Sequence, residues 1–186
     1  MRLRSLWVDF LYKIATSSKK VRNIMTPIGA TFYAAFTALF VVLALQLDKL
    51  LKLPKLFIQP LNIILSLPIF SIALFLMGWS VLYFLKVKGT PVPFNPPPSL
   101  VTTGPYAYVR NPMLTGVFAL LFGFGILFGS LSVIFIFTPL FILVNVWELK
   151  AIEEPELVKR LGEEYVEYRK RTPMFFPGLL IKHKRK

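Results

Sequence analysis

Two stretches of this chain crowd groups that can do chemistry. One is Gly104 to Gly116, GPYAYVRNPMLTG; the other runs from Glu148 to Arg171 and opens with Glu148, Glu153 and Glu154 within seven residues. In the first, Asn111-Pro112 favours an extended residue followed by a helix start, so the next helix points its N-terminus at whatever Arg110 and Asn111 hold. Backbone N–H groups, the helix dipole and a guanidinium together suit a carboxylate or phosphate. The plainer reading makes Arg110 a topology anchor, Asn111 a helix cap, and Tyr106 and Tyr108 interfacial aromatics. The acids of the second stretch can likewise serve as a solvated face or complement a helix dipole. Set opposite an arginine loop, adjacent glutamates can instead grip a ligand carrying both an ammonium and a carboxylate, as an amino acid does.

The elements that must position these groups are apolar. Hydrophobic residues make up 55% of the 186 and charged residues 17%, too greasy a balance for a water-soluble domain. Three windows carry no charge: Asn23 to Leu47, Leu56 to Leu85 and Met113 to Trp147, of 25, 30 and 35 residues. Each exceeds the roughly 20 residues needed to cross ~30 Å of hydrocarbon. The last would reach about 52 Å as one helix, so it reads as a hairpin turning near Gly129-Ser130. The sequence therefore predicts an all-α integral membrane protein with four transmembrane helices, the last two forming a C-terminal hairpin. The first two spans fall at residues 28–47 and 61–85, with Pro60 and Pro68 starting and kinking the second.

Charge orients this arrangement. Of the 22 Lys and Arg, nineteen fall on segments that four spans place on one face and three on the other. The positive-inside rule then puts both termini and the loop at 86–112 in the cytoplasm. The net charge of +13 belongs to this pattern and to anionic lipid headgroups, not to nucleic acid. No cysteine is present, which excludes disulfides, thiolate metal sites and a Cys nucleophile. No ionisable residue lies at membrane depth, which argues against an ion pathway or proton relay. The N-terminus is no cleavable signal, since Asp9 and Lys13 interrupt its apolar run. Leu3, Leu6, Trp7, Phe10, Leu11 and Ile14 fall at helical spacing on one side, predicting a helix in the cytoplasmic interface.

Residues 86–112 hold seven prolines and two glycines, which excludes helix and central strand and predicts an extended, self-braced loop. Beyond the hairpin, Glu154-Pro155 reads as a helix restart with acids in the first turn. Leu157, Leu161, Tyr165 and Tyr168 then predict one amphipathic cytosolic helix ending before Thr172-Pro173. GFGILFG, Gly123 to Gly129, is not the dinucleotide fingerprint; Gly125 and Gly129 suit close helix packing. His183 lies in the basic tail KHKRK and reads as solvated or lipid-facing. The whole is one membrane domain: an interfacial helix at 1–22, two spans at 24–85, a core at 86–177 and a basic tail at 178–186.

GPYAYVRNPMLTG, the hydrophobic hairpin, and EEPELVKRLGEEYVEYRKRTPMFFP together resemble the isoprenylcysteine carboxyl methyltransferase family and its bacterial and archaeal relatives. These are similar in turn to the phospholipid methyltransferases. The likeness covers about residues 86–177. It implies a membrane methyltransferase, in a prokaryotic plasma membrane, that holds S-adenosylmethionine in a cytosolic pocket roofed by the loop and the C-terminal helix. It implies no metal, a lipophilic small-molecule or lipid substrate and no nucleic-acid partner; oligomeric state stays open. Gly104, Tyr106, Tyr108, Arg110, Asn111, Pro112 and Gly116 match the first cofactor-binding motif, and Glu153 and Glu154 the second. Glu153 and Arg171 carry the implied catalytic roles, Arg171 near a substrate carboxylate. Asn111 stands where the eukaryotic enzymes have His, and Leu114 where Tyr is usual. Methyl transfer from a sulfonium is a displacement that asks mainly for alignment and exclusion of water. An amine acceptor must also lose a proton, which Glu153 or Glu154 can take, whereas a carboxylate acceptor asks for Arg169 or Arg171. The alternatives are a sterol-reductase-like membrane oxidoreductase using NADPH and a non-catalytic membrane adaptor.

Overall fold

The structure is a computed structural model describing residues 2–177. The basic tail and His183 lie outside the described residues. Among those residues the regular elements are all helical, with no strand. Helix α1 (Arg2–Ala15) is followed by α2 (Lys19–Leu50) and α3 (Leu61–Lys86). Helix α4 spans Pro112–Phe128, and a helix from Val133 to Leu161 returns beside it. Three helices are long and apolar enough to cross a membrane: α2, α3 and the one over Val133–Leu161. Helix α4 is apolar but shorter, at 17 residues.

The hairpin turns where the sequence places it. Gly129 caps α4 in the left-handed region, at φ 63°, a conformation that favours glycine. A Cβ there would also stand 2.8 Å from the Phe57 carbonyl oxygen. The turn is locked by Asp48 at the end of α2. Its carboxylate accepts the Ser130 hydroxyl and, at 3.0 Å, the Ser132 backbone N–H. A carboxylate at a helix start satisfies orphan donors and complements the dipole.

Helices α3 and α4 lie along one another. At Gly116 a Cβ would meet Met77 Cγ at 2.7 Å and the Ala73 carbonyl oxygen at 2.9 Å, so a side chain there would hold the helices apart. Phe118, Leu121 and Phe141 form the buried centre, with Tyr33, Phe36 and Phe40 of α2 against it. The Pro-rich loop is held in place, as expected: Thr90 N–H donates to the Asn95 carbonyl at 2.8 Å, and Phe94 packs beside Leu11, Ala151 and Ile152.

Three expectations change. The helix does not restart at Glu154-Pro155. It runs on from α5 (Thr138–Glu148) through a π-helical turn, Leu149–Glu153, into α6 (Glu154–Leu161). Proline is tolerated there because a wider turn shifts the hydrogen-bond ladder and leaves an N–H unneeded. Nor is the amphipathic segment one helix, because Gly162 separates α6 from α7 (Glu163–Arg171). Tyr165 and Tyr168 are buried, while Leu157 and Leu161 are only half-buried. The stripe on α1 also divides: Leu11 and Ile14 face the protein, while Leu3, Leu6, Trp7 and Phe10 are exposed.

Candidate active site

Arg110 is the centre of a buried polar junction. Its Nη1 donates to Glu154 Oε1 and, at 3.2 Å, to the Tyr165 hydroxyl, while Nε donates to the Thr172 carbonyl at 3.0 Å. Both side chains of the Arg110–Glu154 pair are 11% exposed. Glu154 Oε2 takes a second cation, Arg169 Nη1, at 3.3 Å. Nη2 of Arg110 takes part in none of these bonds.

A strap of chain after α7 completes the junction. Arg110 N–H donates to the Pro173 carbonyl at 2.9 Å, and Asn111 N–H to Met174 at 3.1 Å. Thr115 Oγ1 reaches the Phe175 carbonyl at 3.3 Å. Tyr168 donates its hydroxyl to the Tyr106 carbonyl at 2.7 Å, tying α7 to the turn that opens the motif. This strap is what sequence reading missed. Its signal is Thr172-Pro173 after a helix, since a residue before proline is pushed into extended backbone whose carbonyls face outward.

The first motif residues fall into two groups. Gly104 starts a 3-10 turn (Gly104–Ala107) at φ 61°, seated on the Tyr83 ring. Tyr106 is buried there with its ring 4.9 Å from that of Phe84. Pro112 is buried as the first residue of α4, and Gly116 faces α3. Asn111 occupies the N-cap position without a side-chain cap bond, so its amide is left for other work. Tyr108 is 54% exposed, near Trp79 at 6.4 Å.

Just before Glu154 in the chain, Glu153 ends the π-helical turn and Glu148 precedes it. Glu153 sits in the field of Glu148, Glu156 and Glu154, with Arg160 as the opposing cation. Arg160 is itself bound to Glu156 at 2.7 Å. Neither Glu148 nor Glu153 has an ion-pair partner among the described residues. π-helical turns recur at functional positions because they rotate side chains off the regular helical register. Here the turn is held from outside by α1, where Arg4 Nε donates to the Ala151 carbonyl at 2.6 Å. Arg171 ends α7 and is exposed.

Burial shapes the phenols of the site. Tyr165 is pushed up to about 12 by burial first and then by Glu154, against the opposing effect of Arg110. Burial raises Tyr106 and Tyr168 further still. All three therefore remain hydroxyl donors and add no negative charge. Among the described residues the junction has a fixed guanidinium, an Asn111 amide without a cap bond, and two nearby carboxylates, Glu148 and Glu153, without an ion-pair partner.

Fold and site together define a helical membrane protein with a buried polar junction that ties the Gly104–Gly116 segment to α6 and α7. The phospholipid methyltransferase family model matches residues 61–164, more than half of the chain, and the chain belongs to that family. It is 40% identical over 82 residues to the protein-S-isoprenylcysteine O-methyltransferase of Schizosaccharomyces pombe, covering 42% of this chain and 33% of that protein. It is 33% identical over 96 residues to a methanethiol S-methyltransferase of Crocosphaera subtropica, covering 52% and 34%. It is 32% identical over 103 residues to the nickel-cobalt-cadmium resistance protein NccN of Alcaligenes xylosoxydans xylosoxydans, covering 55% and 44%. The chain thus spans between a third and a half of the length of these curated relatives. No solved structure matches it significantly.

Proposed function

We propose that the chain is an S-adenosylmethionine-dependent methyltransferase of the membrane that modifies a carboxylate, amine or thiol of a lipophilic acceptor. The Arg110–Glu154 junction carries the reading. It joins two polar motifs 44 residues apart, and among the described residues Asn111 makes no cap bond and Glu148 and Glu153 have no ion-pair partner. Family membership supports it, as do the methyltransferase activities by which two of the relatives are named.

The residues present fit the methyl donor. Unpaired carboxylates suit an ammonium, and the amide of Asn111 with Nη2 of Arg110 suits a carboxylate. S-adenosylmethionine supplies an activated methyl group on a sulfonium. Glu148 and Glu153 would hold its cationic end, Asn111 and Arg110 its carboxylate, and Gly104, Tyr106, Tyr108 and Pro112 would shape the floor. Gly116 contributes by letting α4 approach α3, and Glu154 by fixing Arg110. Glu153 is the proton acceptor for an amine acceptor, since both oxygens of Glu154 are engaged by arginines. Arg171, exposed at the end of α7, would meet an acceptor carboxylate.

In this reading α4 is a fourth crossing, with about 25 Å of helix in a locally thinned bilayer. Both termini and the site then face the cytoplasm, where the basic residues gather. Isothermal titration of the purified full chain is the direct test. Saturable binding of S-adenosylmethionine is expected, and none of NADPH. No binding of S-adenosylmethionine at high protein concentration, or saturation by NADPH alone, sinks the reading.

A further inference from the structure

Helix α1 meets the chain on both sides of Glu153. Before it, Leu11 packs with Ala151 and Ile152, and Arg4 Nε donates to the Ala151 carbonyl at 2.6 Å. After it, Lys159 Nζ donates to Asp9 at 2.7 Å and lies 4.5 Å from the centre of the Tyr12 ring. One face of α1 therefore grips the π-helical turn and the helix that follows.

The neighbouring face of α1 is bare. Leu3, Leu6, Trp7 and Phe10, at spacings of three, one and three, share one side of the helix and are between 46% and 75% exposed. Lys13 stands two turns beyond Leu6 along the border of this face, and Lys19 and Lys20 follow just past its end; all three are exposed. The acid of α1, Asp9, is taken up by Lys159. Position then selects the occupant. Only Thr16 to Ser18 separate α1 from α2, whose charge-free run begins at Asn23, about 6 Å along the helix from Lys19. The start of α2 thus keeps α1 at the polar boundary of the bilayer. An apolar face carrying a tryptophan and bordered by lysines matches acyl chains below and anionic headgroups beside them.

We propose that an anionic bilayer surface is the partner of this face, and that its docking holds α1 against the π-helical turn and so steadies Glu153. The contact does not depend on the activity proposed above.

The test is amide hydrogen exchange of the full chain in nanodiscs of phosphatidylcholine and in nanodiscs of equal parts phosphatidylcholine and phosphatidylglycerol. Exchange at residues 3–15 and 149–154 should be about fivefold slower in the anionic discs, the worth of roughly one lysine at a charged surface, with α4 unchanged. High salt should erase the difference. Lys13→Gln combined with Lys19→Gln and Lys20→Gln should remove the dependence on phosphatidylglycerol. Trp7→Gln with Phe10→Gln, two exposed changes that leave the packed face of α1 intact, should quicken exchange of both segments in both kinds of disc. Equal exchange of the unmodified protein in the two discs overturns the proposal, as does a difference that survives the three lysine changes. Slowing confined to residues 3–15 would overturn the hold on the turn. Protection that follows the number of protein copies per disc instead of the lipid would make a second copy the occupant and overturn the bilayer.

Discussion

Arg110 and Glu154 form a buried ion pair across 44 residues, and each holds further partners: Arg110 the Tyr165 hydroxyl and Thr172 carbonyl, Glu154 the Arg169 guanidinium. A charged pair out of water is stabilising only relative to its broken state, because each charge alone has lost its hydration. Arg110→Ala and Glu154→Ala should each cost about 3–5 kcal/mol of stability. Arg110→Met with Glu154→Leu should restore much of that while S-adenosylmethionine binding stays lost. Thermal unfolding in detergent beside titration calorimetry separates the two effects. Recovery of binding in the double variant would mean the pair is a structural pin with no ligand role.

The Tyr168 hydroxyl is the second tie, reaching the Tyr106 carbonyl at 2.7 Å. Tyr168→Phe removes the donor and leaves a buried carbonyl unpaired, costing about 1–3 kcal/mol. The loss should be local. Hydrogen exchange should rise at residues 104–111 and 163–171 and stay unchanged in α3 and α4; uniform acceleration would contradict a local tie.

These ties explain what the sequence revealed and what it hid. Apolar length alone locates α2, α3 and the hairpin, since each span must bury its backbone in its own helix. Proline density marks the loop for the same local reason. The partner of Arg110 is not legible, because nothing in a guanidinium's neighbours names a carboxylate 44 residues on. The continuation through Glu154-Pro155 is hidden for a different reason: proline reads as a helix start, and only the π-helical turn before it makes it an interior residue. The break at Gly162 then follows the packing of Tyr165 and Tyr168 against the loop, which the hydrophobic spacing of Leu157 and Leu161 does not report.

Arg4 acts on that π-helical turn from α1. Its bond to the Ala151 carbonyl at 2.6 Å satisfies backbone displaced from the regular ladder. Arg4→Met keeps the stem and removes the donor. Amide exchange over 149–154 should quicken and affinity for S-adenosylmethionine should fall by about tenfold, roughly the loss of one charge-assisted bond. Unchanged exchange there would show that the turn is held by α5 and α6 alone.

Gly116 separates packing from ligand contact. Its missing Cβ admits the Ala73 carbonyl and Met77, so Gly116→Ala should push α3 from α4 and cost about 1–3 kcal/mol, the usual range for overpacking. A deeper change in α3, Met77→Ala, makes room for the new methyl and should recover part of the loss. Rescue assigns Gly116 to packing. A binding defect without any loss of stability would instead assign it to the cofactor.

Glu153 and Glu154 are neighbours in sequence with opposite environments. Glu154 gives one oxygen to Arg110 and the other to Arg169, so its charge is neutralised and its lone pairs are committed. Glu153 lies in the field of three other carboxylates and has no hydrogen-bond partner among the described residues. A carboxylate so placed can accept a proton or face a cation, whereas its neighbour can do neither without breaking the junction. Glu153→Gln preserves shape and removes the charge. If the acceptor is an amine, turnover should fall by about 10²–10⁴-fold with stability unchanged or improved. With a carboxylate or an already ionised thiolate acceptor, which needs no strong general base, the same variant should lose affinity for S-adenosylmethionine but keep its turnover at saturating cofactor. Comparing turnover and KM for the two kinds of acceptor therefore reads out which atom receives the methyl group. Full activity of Glu153→Gln on every acceptor would remove Glu153 from the site.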